Sequence, residues 1–408
     1  MDPTQLIGPT SPLGYPAPYG FILFFKVLGF TLHMSAMNLW YAGPILAMLL
    51  RLRGGEEAVY LSDRLMSQMP IIIAYGVNFG IIPLLFIQVA YYRVFYPATI
   101  LMAWPWFIIV PLLTIAYYGI YLYVIGLREG KNPILPSPDP LTGGARITPS
   151  GKFRASSFKS TAGWVSAFLF IVMGYLFSHG MSLLTNLNDW PSIFEKTSVA
   201  GAPLGIGFNS ADPTLLPRWL MMFGLALTTT GAYIVVDMRF LARKVGEGYR
   251  RWAGTFALKV YTLGVLWFAI TGSWYAFGTW QTEVRQVMFR FPQLILTILT
   301  AIAPGLPLLL ILRQAKDKFL AERHGAMRRL AFLTGLTQFI VVALNAISRQ
   351  IVQNAELGKF LDVSSEEVHL QWSPLILFLV LFAAGLSVIF WMIHKVVTAE
   401  GQVPKQMV

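Results

Sequence analysis

The chain has five histidines, His33, His179, His324, His369 and His394. Two of them interrupt long apolar runs: His33 in FTLHMSAMNLW and His179 in MGYLFSHGMSLL. An ionisable side chain in hydrocarbon is costly and turns toward the protein interior or a cavity. There an imidazole can ligate a haem iron or line a quinol pocket. It can equally make a helix-packing hydrogen bond to a backbone carbonyl or a serine, the role that Ser178 and Gly180 favour for His179. For His33 the two roles stand level. His324, in the basic stretch RQAKDKFLAERHGAMRR, reads as solvated, as do His369 and His394 at the two ends of the last apolar run. A second polar group is Arg349 in NAISRQIVQNAE, which with Asn345, Gln350 and Asn354 can line a polar or quinone pocket. Lys259 reads as a cation that snorkels to the interface. Cysteine is absent, so thiolate metal sites, iron–sulfur clusters and covalent haem c are excluded on this chain.

These side chains must be positioned by membrane helices. The 408 residues are 56% hydrophobic and 12% charged, about half the charge of a soluble domain. About 20 apolar residues cross a bilayer as a helix. Nine such runs occur, near 20–50, 67–93, 98–126, 161–187, 216–238, 253–280, 292–314, 330–354 and 372–396. The expectation is an all-α polytopic bundle of about nine spans, with a kink in the seventh at Pro304 and Pro307. The first 19 residues, rich in Pro and Gly, read as an irregular surface segment without signal-peptide features. A first four-helix group, 20–187, would carry a basic loop at 129–160. A loop at 188–215 would lead to a second group of five helices over 216–398, and 399–408 would form a tail.

Lys and Arg concentrate on one side of this arrangement: Arg51, Arg53 and Arg64; Arg128 through Lys159; Arg239 through Arg251; Arg313 through Arg329; then Lys395 and Lys405. The positive-inside rule places that side in the cytoplasm and the N-terminus outside. The asymmetry also accounts for the net charge of +12 without nucleic acid. With this orientation His33 and His179 share a depth in the outer half, where two facing imidazoles can clamp one iron. No carboxylate sits mid-span, which disfavours a proton-pumping relay along side chains.

Several segments, in order, resemble subunit I of the cytochrome bd quinol oxidases. GFTLHMSAMNLWYAGPILAMLLRLRG resembles the first helix of that family, whose haem-ligating histidine would fall on His33. RLMSQMPIIIAYGVNFGIIPLLFIQVAYY resembles the second, including the Asn78–Gly80 step. GFNSADPTLLPRWLMMFGLALTTTGAYIVV, FLARKVGEGYRRWAGTFALKVYTLGVL and ISRQIVQNAELGKFLDVSSEEVHLQWSPLILFLVLF resemble the fifth helix, the entry to the sixth and the end of the eighth, with its Arg349–Gln350 pair. The chain departs from the family at its chemistry. Met221 stands where the family has the histidine of the low-spin haem, and Thr114 where it has a third-helix glutamate. Asn345 and Ala346 replace the glutamate before the Arg–Gln pair. His179 falls on a family asparagine, and the quinol-binding loop has shrunk to WQTEVRQVMFRF.

What the resemblance implies is a subunit of a respiratory electron-transfer complex in a bacterial cytoplasmic membrane. It would bind at most one haem b, through His33 with or without His179, and/or a quinone, and exchange electrons with a cytochrome c or iron–sulfur partner beside other membrane subunits. The alternative is a haem-free anchor or scaffold subunit, because shared fold does not preserve chemistry. A transporter would need broken polar helices in a repeat, of which only the seventh run gives a hint.

Overall fold

Hydrocarbon offers no hydrogen bonds to a peptide group, so a spanning segment rich in Leu, Ile and Phe closes its backbone bonds internally as a helix. The computed structural model describes residues 2–129, 157–242, 245–316 and 324–399, together with a pairing of Ser137–Pro138 and Ala145–Arg146. Most of the loop 129–160 and nearly all of the tail 399–408 lie outside the described residues, as do Arg243, Lys244, Lys318, Arg323 and the His324 side chain. Among the described residues nine helices are long and apolar enough to cross a membrane. They are α1 (Tyr19–Arg53), α2 (Glu56–Ala90), α3 (Ala103–Leu127), α4 (Lys159–Thr185), α5 (Leu215–Leu241), α6 (Glu247–Thr279), α7 (Gln293–Lys316), α8 (Gly325–Leu357) and α9 (Trp372–Lys395). The chain is a multi-pass membrane protein. The expected break in the seventh span occurs at Ala303–Pro304, between helical stretches Gln293–Ile302 and Gly305–Lys316.

Helix α2 begins eleven residues before the expected apolar run, at Glu56, so Asp63 and Arg64 are helical rather than loop residues. Both are tied down. Asp63 pairs with Arg51 across the α1–α2 turn. Arg64 donates from Nε and Nη2 to the two carboxylate oxygens of Asp237 on α5, at 2.7 and 2.6 Å. Gln68 adds a 2.7 Å bond to the same carboxylate and accepts one of 2.8 Å from Tyr233. This bidentate pair joins α2 to α5 on the basic face, with only 2% of the Asp237 side chain exposed. Deeper in the bundle Tyr261 on α6 donates to Gln338 on α8. Gln338 in turn donates to Thr228 and Thr229 of α5, and Asn38 of α1 also bonds Thr229. Four helices therefore share one polar seam.

On the face where the chain begins, the N-terminal segment is a strap rather than a loose surface piece. Tyr15 bridges to Val368, and its buried hydroxyl lies 2.8 Å from the carbonyls of Ala90 and Val363. Burial, with Glu366 nearby, pushes its phenol above the usual tyrosine range, so it stays a neutral donor. The segment between α4 and α5 carries a short helix, Trp190–Thr197, and a strand pair, Ser198–Val199 with Ala202–Pro203. Helix α9 is attached most lightly: none of its span is buried, and Phe378 and Phe382 meet Phe25 and Phe86 through ring edges.

Two outcomes follow. Asp237→Asn leaves Arg64 buried without its charge partner and is expected to cost about 3–5 kcal/mol, read as a lower melting temperature in detergent. The double variant with Arg64→Met is expected to lose less than the two single costs combined. Because the chain has no cysteine of its own, single cysteines report its orientation. With the N-terminus outside, Glu367→Cys reacts with an impermeant thiol reagent in intact cells, and Glu56→Cys reacts only after permeabilisation. The reverse pattern would overturn that orientation.

Candidate functional site

The site begins at the contact of α1 with α2. Gly76 and Gly80 lie one turn apart on α2, and neither position has room for a side chain. A Cβ on Gly76 would run into the Trp40 ring, and one on Gly80 would sit 2.8 Å from His33 Nδ1. Small residues let two membrane helices approach closely. Here they also uncover the Gly76 carbonyl, and His33 Nδ1 lies 2.8 Å from that oxygen. A carbonyl only accepts, so in the neutral ring Nδ1 carries the proton and Nε2 is left with its lone pair. Nε2 has no hydrogen-bond partner among the described residues. The backbone bond expected of a packing histidine and the free nitrogen expected of a ligand thus occur on the same ring.

His33 borders a cavity of about 380 Å³ enclosed by α1, α2, α3, α4, α5, α6, α8 and the short helix Tyr92–Leu101. That size falls in the usual range for small-molecule sites, roughly 300–1,000 Å³. Most of the wall is apolar, including Phe30, Met34, Trp40, Phe170, Met221 and Phe268. Its polar lining includes Lys26, His33, Arg218, Asn345, Arg349 and Gln350, with no aspartate or glutamate among the described residues that line it. The three predicted pocket residues of α8, Asn345, Arg349 and Gln350, are therefore brought together with His33. Asn354 joins from behind, accepting from Gln350 Nε2 at 3.0 Å and from Tyr91 at 2.6 Å.

The polar groups divide by how they are satisfied. Lys26 is buried, with Nζ donating to the side-chain oxygens of Gln350 and Gln353 and lying 4.5 Å from the centre of the Tyr91 ring. Arg218 bonds Thr214 and lies 3.6 Å from Glu356. Arg349 stacks its guanidinium 4.3 Å from the centre of the Phe30 ring. Neither it nor Asn345 has a hydrogen-bond acceptor or ion-pair partner among the described residues.

His179 does not reach the cavity. Its neighbours Ser178 and Gly180 line the wall, but its own ring is packed edge-on against Tyr175 and Phe208, at 4.7 and 5.0 Å between centroids. Its Nδ1 is buried without a partner among the described residues, so the expected carbonyl or serine bond is not there either. The two imidazoles do not share a chamber, because α4 turns His179 toward Phe208 in the loop before α5. Met221 does face the cavity, whereas Thr114 bonds its own helix at Val110 and lies on the outside of α3. Lys259 is likewise on the outside. His369 is exposed 3.4 Å from Glu367, and His394 is exposed on α9. Lys26 was the residue hidden from sequence reasoning. Its one signal was a lone lysine inside FILFFKVLGF.

The tightness of the Gly80 contact can be tested. Gly80→Ala is expected to displace the His33 ring and destabilise the chain by about 1–3 kcal/mol in a thermal melt. Gly20→Ala, with nothing within 4 Å of the added carbon, should be close to neutral. In comparisons with known proteins, no family model matches the chain and no curated protein matches it.

Proposed function

We propose that the chain is a membrane subunit of a bacterial respiratory electron-transfer complex, related to subunit I of the cytochrome bd oxidases, that holds one haem b on His33. The observation that carries this reading is the His33 ring. Its Nδ1 is fixed by the Gly76 carbonyl and its unpartnered Nε2 belongs to a residue on the cavity wall. A backbone carbonyl on the far nitrogen is the usual outer-shell partner that orients a metal-bound imidazole and raises its basicity. The donor set fits the group: one imidazole, an apolar aromatic chamber for a macrocycle, and cations for its carboxylates.

A bound haem b supplies reversible one-electron chemistry. This chain's own residues do the rest. His33 sets the position and Gly80 leaves space for its ring, while Phe30, Trp40 and Phe268 exclude water. The cysteine-free sequence means that a haem c or iron–sulfur donor or acceptor belongs to a separate chain. With one histidine and no carboxylate among the described residues that line the cavity, oxygen reduction by this chain alone is not part of the proposal.

The test is a pyridine haemochrome assay on the purified full chain. About one haem b per chain is expected, lost in His33→Ala and kept in His179→Ala. A haem-free wild type would end this reading and favour the second one, a scaffold subunit whose cavity holds a quinone. Asn345, Arg349 and Gln350 would then face the ring carbonyls.

A further inference from the structure

Charge in the cavity is unbalanced, and the imbalance is confined to one end. Lys26 precedes His33 by two helical turns, ~10 Å along α1. Arg349 lies at the same end of α8, stacked on Phe30, one turn beyond Lys26 on α1. Lys26 reaches two amide oxygens but no carboxylate, and Arg349 reaches no acceptor at all among the described residues. Gln350 links them, lying next to Arg349 in sequence and accepting from Lys26.

An ammonium and a guanidinium taken out of water without counter-charge are expensive, and membrane proteins ordinarily pair them. Elsewhere in this bundle that pairing is made, at Arg64–Asp237 and Arg51–Asp63. Arg218, the third cation on the wall, has Glu356 beside it. Among the described residues of the wall, Lys26 and Arg349 have no carboxylate at ion-pair distance: Lys26 spends two donors on amide oxygens, and the Arg349 guanidinium has no hydrogen-bonded acceptor, with Glu356 acting on it only at longer range.

We propose that Lys26 and Arg349 form an anion clamp. The cavity takes an amphiphilic ligand whose carboxylate or phosphate oxygens lie between Lys26 Nζ and the Arg349 guanidinium, with its apolar body extending toward His33. Arg349 supplies the planar fork that binds an oxyanion through two bonds, and Lys26 supplies a point charge held in place by Gln350 and Gln353. Such oxygens can come from the carboxylates of a porphyrin or from the head group of a phospholipid. In the first case the inference rests on the haem reading; in the second it is independent of it.

The experiment uses the full chain purified from membranes in mild detergent, as wild type, Lys26→Met, Arg349→Met and Arg349→Lys. Haem is quantified by pyridine haemochrome, and bound phospholipid by native mass spectrometry. One acidic amphiphile per wild-type chain is expected, with at least tenfold lower retention in both methionine variants and partial recovery in Arg349→Lys. Haem as the lost ligand supports both proposals. Phospholipid as the lost ligand, with no haem, supports the clamp and removes the haem reading. Unchanged retention in both methionine variants overturns the clamp, as does a wild-type chain carrying neither ligand. Thermal melts of ligand-stripped protein separate binding from folding. Removing an uncompensated cation should leave stripped Arg349→Met at least as stable as stripped wild type, whereas a purely structural arginine would melt lower when removed.

Discussion

Arg64 and Arg349 both lie within membrane-spanning helices, and of the two Arg64 makes an ion pair with a carboxylate, while Glu356 acts on Arg349 only from a longer distance. The difference follows from one constraint. In the bilayer interior no water is available to satisfy a polar group, so protein or ligand must do it. Where this chain supplies the partner, helices are locked together: Arg64 with Asp237 joins α2 to α5, and Tyr261, Gln338, the threonines and Asn38 join α6, α8, α5 and α1. Where it supplies none, groups stay open: among the described residues Arg349 and Asn345 on the cavity wall, and His179 Nδ1 away from it. The stapled basic face and the open end of the cavity near the chain's start are two outcomes of the same constraint.

The open end is also where the helix packing is most exacting. Trp40 fills the notch left by Gly76, and His33 fills the notch left by Gly80. Both come from α1, so a single close approach to α2 fixes an aromatic wall and an imidazole together. The bond to the Gly76 carbonyl then selects the tautomer. A ring whose orientation, protonation and free nitrogen are all set by backbone is better prepared for a ligand than one held by mobile side chains. His179 has none of this: its ring is wedged between two other rings, and its Nδ1 has no hydrogen-bond partner among the described residues.

Much of the fold was legible because a membrane span announces itself by length and composition alone. All nine spans and the break at Pro304 could be read that way. Amphipathic extensions could not. The first turns of α2 carry Glu56, Asp63 and Arg64, which look like loop until ion pairs with α1 and α5 account for them. The site was half legible for a related reason. Sequence fixes the depth of a residue in a straight helix but not its rotation about the axis. An expected common level for His33 and His179 left open which way each ring faces, and the packing of α4 tells that His179 turns away. Lys26 was missed because one lysine barely changes the hydropathy of a long apolar run, and its meaning depends on Gln350 and Gln353 arriving from α8.

No acid lines the wall among the described residues, which bears on what redox chemistry the proposed reading allows. Under the proposed reading, an electron arriving near His33 adds negative charge to a chamber already furnished with fixed positive charge. Lys26 and Arg349 offset that charge by position, in a medium where Coulomb interactions are weakly screened. A chamber that compensates with resident cations needs no proton to accompany the electron. One that reduces oxygen must gather protons at the reacting atoms, and buried carboxylates usually carry them there. On the proposed kinship, Met221, Thr114, Asn345 and Ala346 would stand where that family has a second histidine ligand and such acids. Under that reading the chain would serve as a relay, its cavity holding a carrier and its charge while bond-making chemistry took place on a partner.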